Sequence, residues 1–132
     1  MAMPRVPERI YLGLFLVDIV GPGRYILVVR DRSDKKQPYG LPCVTLDAFV
    51  DPADAARHLF QEVLGLGQCV PLHAHAMCEI DGVLCGSYVG QLGPLYRTLL
   101  AASPQHEMAA AEVGHLLKVN PGFLGQYGAL VA

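Results

Sequence analysis

The sequence predicts an α/β domain in which several strands precede and follow one well-defined helix along the chain. Two observations carry this prediction. Aliphatic, β-branched runs at residues 10–20 and 25–29 have the character of buried strands, and the apolar spacing at 52–64 is that of an amphipathic helix. The 132 residues suit one domain, 1–132, in which residues 1–9 form a short polar N-terminal arm.

Two strand pairs are predicted. The runs at 10–20 and 25–29 are separated by Gly21-Pro22-Gly23, which is typical of a tight turn, so they predict a buried hairpin. A second pair is predicted over Cys69–Ile80 and Val83–Gln91, with its turn at Asp81-Gly82.

The C-terminal third gives less regular patterns. Residues 95–102 fit either a short helix or a strand, and residues 103–107 are predicted as a loop. A strand is predicted over Glu112–Val119, and Asn120-Pro121 is a possible start of a final short helix.

The helix at 52–64 is the element that the sequence specifies most fully. Asp51 can cap the free amides, Pro52 suits the first helical position, and Gly65 is a typical C-terminal cap. The apolar residues follow the i, i+3, i+4, i+7, i+8 spacing of a helix with one buried face: Ala56, Leu59, Phe60, Val63 and Leu64.

Composition limits the classes of partner. The net charge is −2, which argues against a general nucleic-acid binder, and no apolar run approaches the roughly twenty residues of a membrane helix. The N-terminus lacks a signal-peptide pattern, so a cytoplasmic protein with reduced cysteines is expected. Apolar residues make up 52% of the chain, which favours either a large core or apolar surface hidden in a homodimer.

The order of elements around the helix resembles the Nudix family. The family signature is a 23-residue loop–helix–loop, G-x5-E-x7-R-E-U-x-E-E-x-G-U, which aligns here with Val44 to Leu66. Leu41-Pro42, Ala55-Ala56, Glu62 and Gly65-Leu66 agree with the family pattern. The resemblance implies a Nudix-type α/β/α sandwich with a mixed, curved sheet.

The same alignment departs from the family at its chemical positions. Val50, Leu59 and Val63 stand where the family has glutamates, and His58 stands where it has arginine. Cys43 and Val44 replace two glycines. In the family, carboxylates four residues apart on one helix face hold Mg²⁺ or Mn²⁺, and such hard cations require oxygen ligands. The resemblance therefore implies a degenerate Nudix box without a metal site or cofactor.

Several polar residues remain as candidates for a site. The candidate catalytic residues are Glu62 and His58, spaced i, i+4 on the helix, and Glu107, placed in the predicted loop at 103–107 because loops often carry site residues. Asp47 in the signature loop is a further carboxylate. Cys43 precedes the helix, where a thiolate could be reactive.

The remaining candidate ligand-binding residues are Arg30 and Arg32 in a charged stretch, with Tyr39 as a stacking face.

A second constellation points to a different chemistry. The spacing of His73, His75 and Glu79 with flanking Gly67 and Gly86 is similar to the first motif of the cupin family, whose strands bind a transition metal. Alternate strand residues share a face, so these three side chains and Met77 could lie together. The second cupin motif is missing downstream, and side chains in or beside the core are the alternative.

Three functions follow from these observations. The first is a Nudix-type domain that binds a nucleotide or other phosphorylated small molecule without Mg²⁺. The second is an enzyme with a rewired site, either a hydrolase of nucleoside diphosphate derivatives that uses Mg²⁺ or Mn²⁺ with Glu62 and Glu107 or Asp47, or a metal-free enzyme that uses His58 or Cys43. The third is a structural or interaction subunit.

Overall fold

A computed structural model describes residues 6–17, 24–31, 33, 34, 36, 39–47, 50–64, 70–93 and 106–115. These residues contain one longer helix, α1 (Pro52–Leu64), and six strands. The strands are β1 (Arg9–Leu16), β2 (Tyr25–Asp31), β3 (Cys43–Thr45), β4 (His73–Ile80), β5 (Val83–Leu92) and β6 (His106–Glu112). No helix among these residues has the length and apolar character needed to cross a membrane.

The strands form one mixed sheet in the order β4-β5-β1-β2-β6, with β3 paired to β1 beside this path. Strand β1 lies at the centre, parallel to β5 and antiparallel to β2 and β3. The predicted mixed sheet and the antiparallel pairing of β1 with β2 are confirmed. The predicted arm is shorter than expected, because Glu8 already exchanges backbone hydrogen bonds with Leu84 and Leu46 and Arg9 begins β1.

Helix α1 begins at Pro52, as the capping residues predict, and the Ala55 amide donates to the Asp51 carbonyl at 3.0 Å. Its apolar face packs on one face of the sheet, here called the helix-side face. The buried residues of that layer are Ile10, Leu12, Leu14, Leu16, Leu27, Ala56, Leu59, Phe60 and Leu92. Such removal of aliphatic surface from water is the main stabilising contribution in a domain of this size.

The opposite surface of the sheet, here called the far face, has a second apolar cluster. Its buried residues are Tyr11, Ile26, Val28, Leu41 and Cys85. Because side chains alternate along a strand, odd-numbered residues of β1 and even-numbered residues of β2 point to the far face. This alternation decides on which face each candidate residue lies.

The β4–β5 hairpin turns at Asp81-Gly82, as predicted. Both residues have positive φ, 51° at Asp81 and 80° at Gly82, the backbone that a two-residue hairpin requires. Further from the turn the ladder contains a β-bulge: Ala74 pairs with Tyr88 and Ala76 with Ser87. His75 is therefore the extra residue, and the faces of β4 exchange at this point.

The predictions for the last third of the chain are wrong in the described region. The segment 106–112 is a strand, β6, which pairs with β2 over seven residues, whereas 103–107 was predicted as a loop and 112–119 as a strand. The Glu112 carboxylate accepts the amides of Gly114 and His115 at 2.9 and 2.7 Å. These bonds cap the start of the helical residues 113–115, where the strand ends.

Some predictions fall outside the described residues. They concern the turn at Gly21-Pro22-Gly23, the helix cap at Gly65, the segment 95–102 and the start of a helix at Asn120-Pro121.

Candidate functional site

Helix α1 does not present the carboxylate pair that a hard cation needs. Leu59, at a family glutamate position, is only 6% exposed and packs in the helix-side core with Ala56 and Phe60. Glu62 lies on the solvent side of the helix, where its Oε1 is 2.9 Å from His58 Nε2, and their side chains are 63% and 72% exposed. No group of three or more His, Cys, Asp or Glu residues among the described residues is arranged to hold a metal ion.

Three sequence candidates meet on the far face. Arg30 Nε donates to Glu107 Oε2 at 2.6 Å, and the Arg30 guanidinium lies over the Tyr39 ring at 4.5 Å from its centroid. The Tyr39 hydroxyl donates to the same carboxylate oxygen at 3.4 Å. The Arg30 and Glu107 side chains are 23% and 21% exposed. The positive charge predicted to hold an anion is thus already neutralised by the chain's own carboxylate.

The structure separates Glu62 from Glu107. Glu107 is a strand residue and not the loop residue predicted, and it shares the far face with Ala109 and Ala111. Helix α1, which carries Glu62, packs on the helix-side face. Helix α1 and Glu107 therefore lie on opposite faces of the sheet, and a joint role of Glu62 and Glu107 stays a prediction.

The remaining sequence candidates are dispersed. Asp47 is exposed, and its carbonyl accepts the Val50 amide at 3.3 Å. Cys43 pairs with Tyr11 in the β3–β1 ladder. Although Cys43 is exposed, the protein packed around its thiol raises the pKa, and the nearby Arg9 charge lowers it by less. The thiol is therefore protonated at neutral pH and is not an activated nucleophile. Arg32 lies outside the described residues.

The β-bulge breaks the predicted histidine face. His73 pairs with Val89, which places it on the far face, whereas Glu79 pairs with Leu84 on the helix-side face. The extra residue His75 lies between these two registers. The prediction that His73, His75, Met77 and Glu79 share one face is therefore wrong.

A pocket of about 490 Å³ lies where β1, β4 and β5 meet on the far face. Phe15 is the register partner of Gln91, and His73 is the partner of Val89, so their side chains converge there. The Arg24 guanidinium lies over the Phe15 ring at 4.9 Å from its centroid. The lining residues are Phe15, Pro71, His73, Val89, Gly90 and Gln91.

Sequence reasoning missed this pocket. Phe15 lies within the apolar run 10–20 that predicts a buried strand, and Gln91 is the last residue of another predicted strand. The available signal was the mixture of types, because an aromatic ring, an imidazole and an amide are common in small-molecule sites. Their convergence depends on the parallel β1–β5 register, which local patterns do not report.

Comparisons with known proteins identify the fold. No family model and no curated protein matches the sequence. A mutT/nudix family protein from Listeria innocua has a similar structure, with 18% identity, a TM-score of 0.61, and 86% of this chain covering 84% of that one. A Nudix domain of Shewanella oneidensis NrtR, complexed with ADP ribose, is 10% identical with a TM-score of 0.56, and 88% of this chain covers 79% of it.

A third similar structure is that of T. brucei MERS1 in a complex with RNA. It is 12% identical with a TM-score of 0.66, and 92% of this chain spans 56% of that longer chain. The mixed six-stranded sheet and helix α1 agree with the architecture of these proteins. The chain therefore has the Nudix fold.

Proposed function

We propose that this chain binds a nucleotide or another phosphorylated small molecule and does not hydrolyse diphosphates with Mg²⁺ or Mn²⁺. The observation that carries the proposal is the burial of Leu59, 6% exposed, at the position where the Nudix resemblance places a metal-binding carboxylate. A leucine packed in the core offers no oxygen ligand, and hard cations bind to oxygen.

The carboxylates that α1 does present are engaged elsewhere. Asp54 is paired with Arg57 and Glu62 with His58, both on the exposed surface of the helix. The Asp54 charge is balanced by the Arg57 guanidinium, and Glu62 Oε1 is already in contact with the His58 imidazole, so the two carboxylates do not converge on a common cation. The residues of α1 therefore do not fit the metal centre of an active Nudix enzyme.

The far-face pocket supplies the binding chemistry. Its volume of about 490 Å³ is typical of small-molecule sites. Phe15 offers an aromatic surface for a planar base, and the His73 imidazole and Gln91 amide can form hydrogen bonds with its edge. The Arg24 charge beside the Phe15 ring favours a phosphate at the same end. The ADP ribose bound to the Shewanella oneidensis domain belongs to this ligand class.

Calorimetric titration with ADP ribose, ADP and AMP in the presence of a chelator tests the binding. We expect at least one of these nucleotides to bind without metal, and Phe15→Leu to weaken binding at least about tenfold through lost stacking. Met77→Ala is the matched control, because Met77 is exposed at 57% on the helix-side face of β4. Absence of binding by every nucleotide, or equal weakening by Met77→Ala, contradicts this assignment.

A separate assay tests the loss of hydrolysis. The purified chain is incubated with ADP ribose and excess Mn²⁺ or Mg²⁺, and the products are separated by chromatography. We expect no metal-dependent product. Hydrolysis that disappears in Glu62→Gln and in the presence of a chelator would overturn the proposal in favour of the rewired enzyme.

A homodimer and a cytoplasmic location stay predictions. Val6, Val17 and Met77 are exposed apolar side chains at 60%, 55% and 57%, consistent with the apolar composition that favours association. Light scattering at micromolar concentration tests the homodimer, and a monomer there contradicts it.

A further inference from the structure

We propose that Cys78 and Cys85 are a redox-active pair that closes to a disulfide when the protein meets a peroxide. The two residues are direct register partners in the β4–β5 ladder, and both are free thiols in this structure. This proposal does not depend on nucleotide binding, because neither cysteine lines the far-face pocket.

The register of the two cysteines is fixed by the turn. From Asp81-Gly82 outward, Ile80 pairs with Val83, Glu79 with Leu84 and Cys78 with Cys85, without interruption. The β-bulge at His75 lies beyond this stretch. A two-residue turn fixes the register of a hairpin, so the cysteines stay opposite each other as long as the hairpin is formed.

The backbone spacing suits a disulfide. The Leu84 carbonyl accepts the Glu8 amide, so the peptide groups of Leu84 point towards β1 and those of Cys85 point towards β4. Cys78 and Cys85 therefore form a hydrogen-bonded pair, whose Cα atoms are about 5.5 Å apart in antiparallel sheets. This Cα separation falls in the commonest range of disulfide-bonded cysteines, about 5.5–6 Å. The Cβ atoms of such a pair are about 5.5 Å apart, beyond the roughly 3.5–4.5 Å of a disulfide, so closure draws the two strands together locally and gives a strained, readily reduced bond.

The side chains of Cys78 and Cys85 lie on the same face of the sheet but differ in their exposure to solvent. Both side chains lie on the far face, where Cys85 is buried and Cys78 is only half-buried. Burial is the main cause that raises the pKa of the Cys85 thiol, and a charge on Cys78 raises it further. Cys78 is therefore the thiol that an oxidant meets first.

The chemistry needs a hydroperoxide as co-reactant. The Cys78 thiolate attacks one peroxide oxygen, the O–O bond breaks, and Cys78 becomes a sulfenic acid as the peroxide leaves as hydroxide or alkoxide. The Cys85 sulfur then attacks the sulfenic sulfur and gives up its proton, the S–O bond breaks, and the departing oxygen takes up that proton and leaves as water. Overall, two thiols lose two electrons and two protons, and hydrogen peroxide is reduced to two water molecules. Excess dithiol reverses the reaction by exchange.

Peptide mapping of the whole protein tests the pair. The chain is treated with hydrogen peroxide, remaining thiols are alkylated, and the protein is cleaved after glutamate. Cleavage at Glu79 separates residues 63–79 from 80–107, so a disulfide at Cys78 and Cys85 keeps the two fragments together until reduction. We expect two of the four cysteines to escape alkylation and the mass to fall by two hydrogen atoms.

Variants identify the sulfurs involved. Cys69 shares the fragment with Cys78, so Cys69→Ser is the matched control and is expected to retain the linked fragments, as is Cys43→Ser. Cys78→Ser is expected to abolish them. No Cys85 variant is needed, because peptide mapping of the unsubstituted chain tests the pair even if a substitution at the buried Cys85 prevents folding. Four alkylated cysteines after peroxide treatment, or linked fragments that persist in Cys78→Ser, would overturn the proposal.

Discussion

Arg30 and Glu107 lie opposite each other in the β2–β6 ladder, and Arg30 Nε donates to Glu107 Oε2 across 2.6 Å. The Tyr39 ring lies against the guanidinium and its hydroxyl reaches the same oxygen. With only about one-fifth of each charged side chain exposed, the ion pair is partly removed from water. The ion pair links the alanine-rich strand β6 to β2. The sequence instead predicts Arg30 as an anion-binding residue.

Replacing Glu107 by glutamine is expected to destabilise the chain by about 1–2 kcal/mol, because the half-buried Arg30 charge loses its counter-ion. Urea unfolding followed by circular dichroism measures the change. Glu62→Gln is the matched control: its pair with His58 is mostly exposed, and exposed ion pairs contribute only about 0–1 kcal/mol. Equal effects of the two substitutions would contradict the structural role of the Arg30–Glu107 pair.

Truncation of Leu59 to alanine is expected to lower the free energy of unfolding by about 2–4 kcal/mol. The leucine is almost wholly buried against the helix-side face, so its removal leaves a cavity beside Phe60. Ala53→Ser on the exposed side of α1 is the comparison and is expected to change stability by about 0.5 kcal/mol or less. A small effect of Leu59→Ala would mean that position 59 does not belong to the core.

Gly90 is tightly enclosed at the rim of the pocket. A Cβ at this position would lie 2.9 Å from Leu72 Cδ2 and 3.0 Å from the Pro71 carbonyl oxygen. Since the backbone of Pro71 cannot move aside as a flexible side chain does, Gly90→Ala is expected to cost about 1–3 kcal/mol of stability. Gly93→Ala meets no atom within 4 Å and provides the control in thermal unfolding. Indistinguishable midpoints would contradict this packing.

Alkaline pH is expected to weaken the fold through Cys85. Burial raises the pKa of this thiol above its ordinary value of 9.0. Below that value the thiol is protonated in both states, and its contribution to stability is fully present. As pH rises further, the unfolded chain ionises first, so the free energy of unfolding falls until the folded thiol also ionises.

Urea unfolding at a series of pH values from about 7 to about 10, in the presence of a reducing agent, measures this dependence. The Cys85→Ala variant should have a flatter profile across the same range. Tyr11, whose pKa is also raised mainly by burial, contributes in both proteins. An unchanged slope in Cys85→Ala would show that the thiol does not account for the loss.

The parts of the fold that sequence patterns predict are those whose cause is local. The apolar spacing and the Asp51-Pro52 start are sufficient for α1, and Asp81-Gly82 is sufficient for the β4–β5 turn. Strand β6 was not predicted because its alanine-rich centre, Ala109–Ala111, has low strand propensity. Its conformation follows from the seven-residue ladder with β2, which is a non-local cause.

The candidate site residues likewise divide into those whose position has a local cause and those whose position depends on distant parts of the sequence. Leu59 was expected to offer packing surface, and its burial agrees with that expectation. The charged pair of Arg30 and Glu107 could not be foreseen, since the partners are distant in sequence and meet only through the β2–β6 register. The pocket residues Phe15 and His73 likewise depend on the strand order β4-β5-β1.

The bulge at His75 divides the edge strand β4 into two parts, and the alternation of side chains between the two faces of the sheet reverses from one part to the other. A ladder with uniform alternation would direct His73 towards α1, on the same side as Met77 and Glu79. The insertion instead turns the first part of β4 over, so His73 lies on the far face and lines the same pocket as Phe15. Deleting His75 would make the ladder regular and leave His73 opposite Val89, whereas pairing His75 without a bulge would place His73 opposite Gly90 on the helix-side face and remove one wall of the pocket.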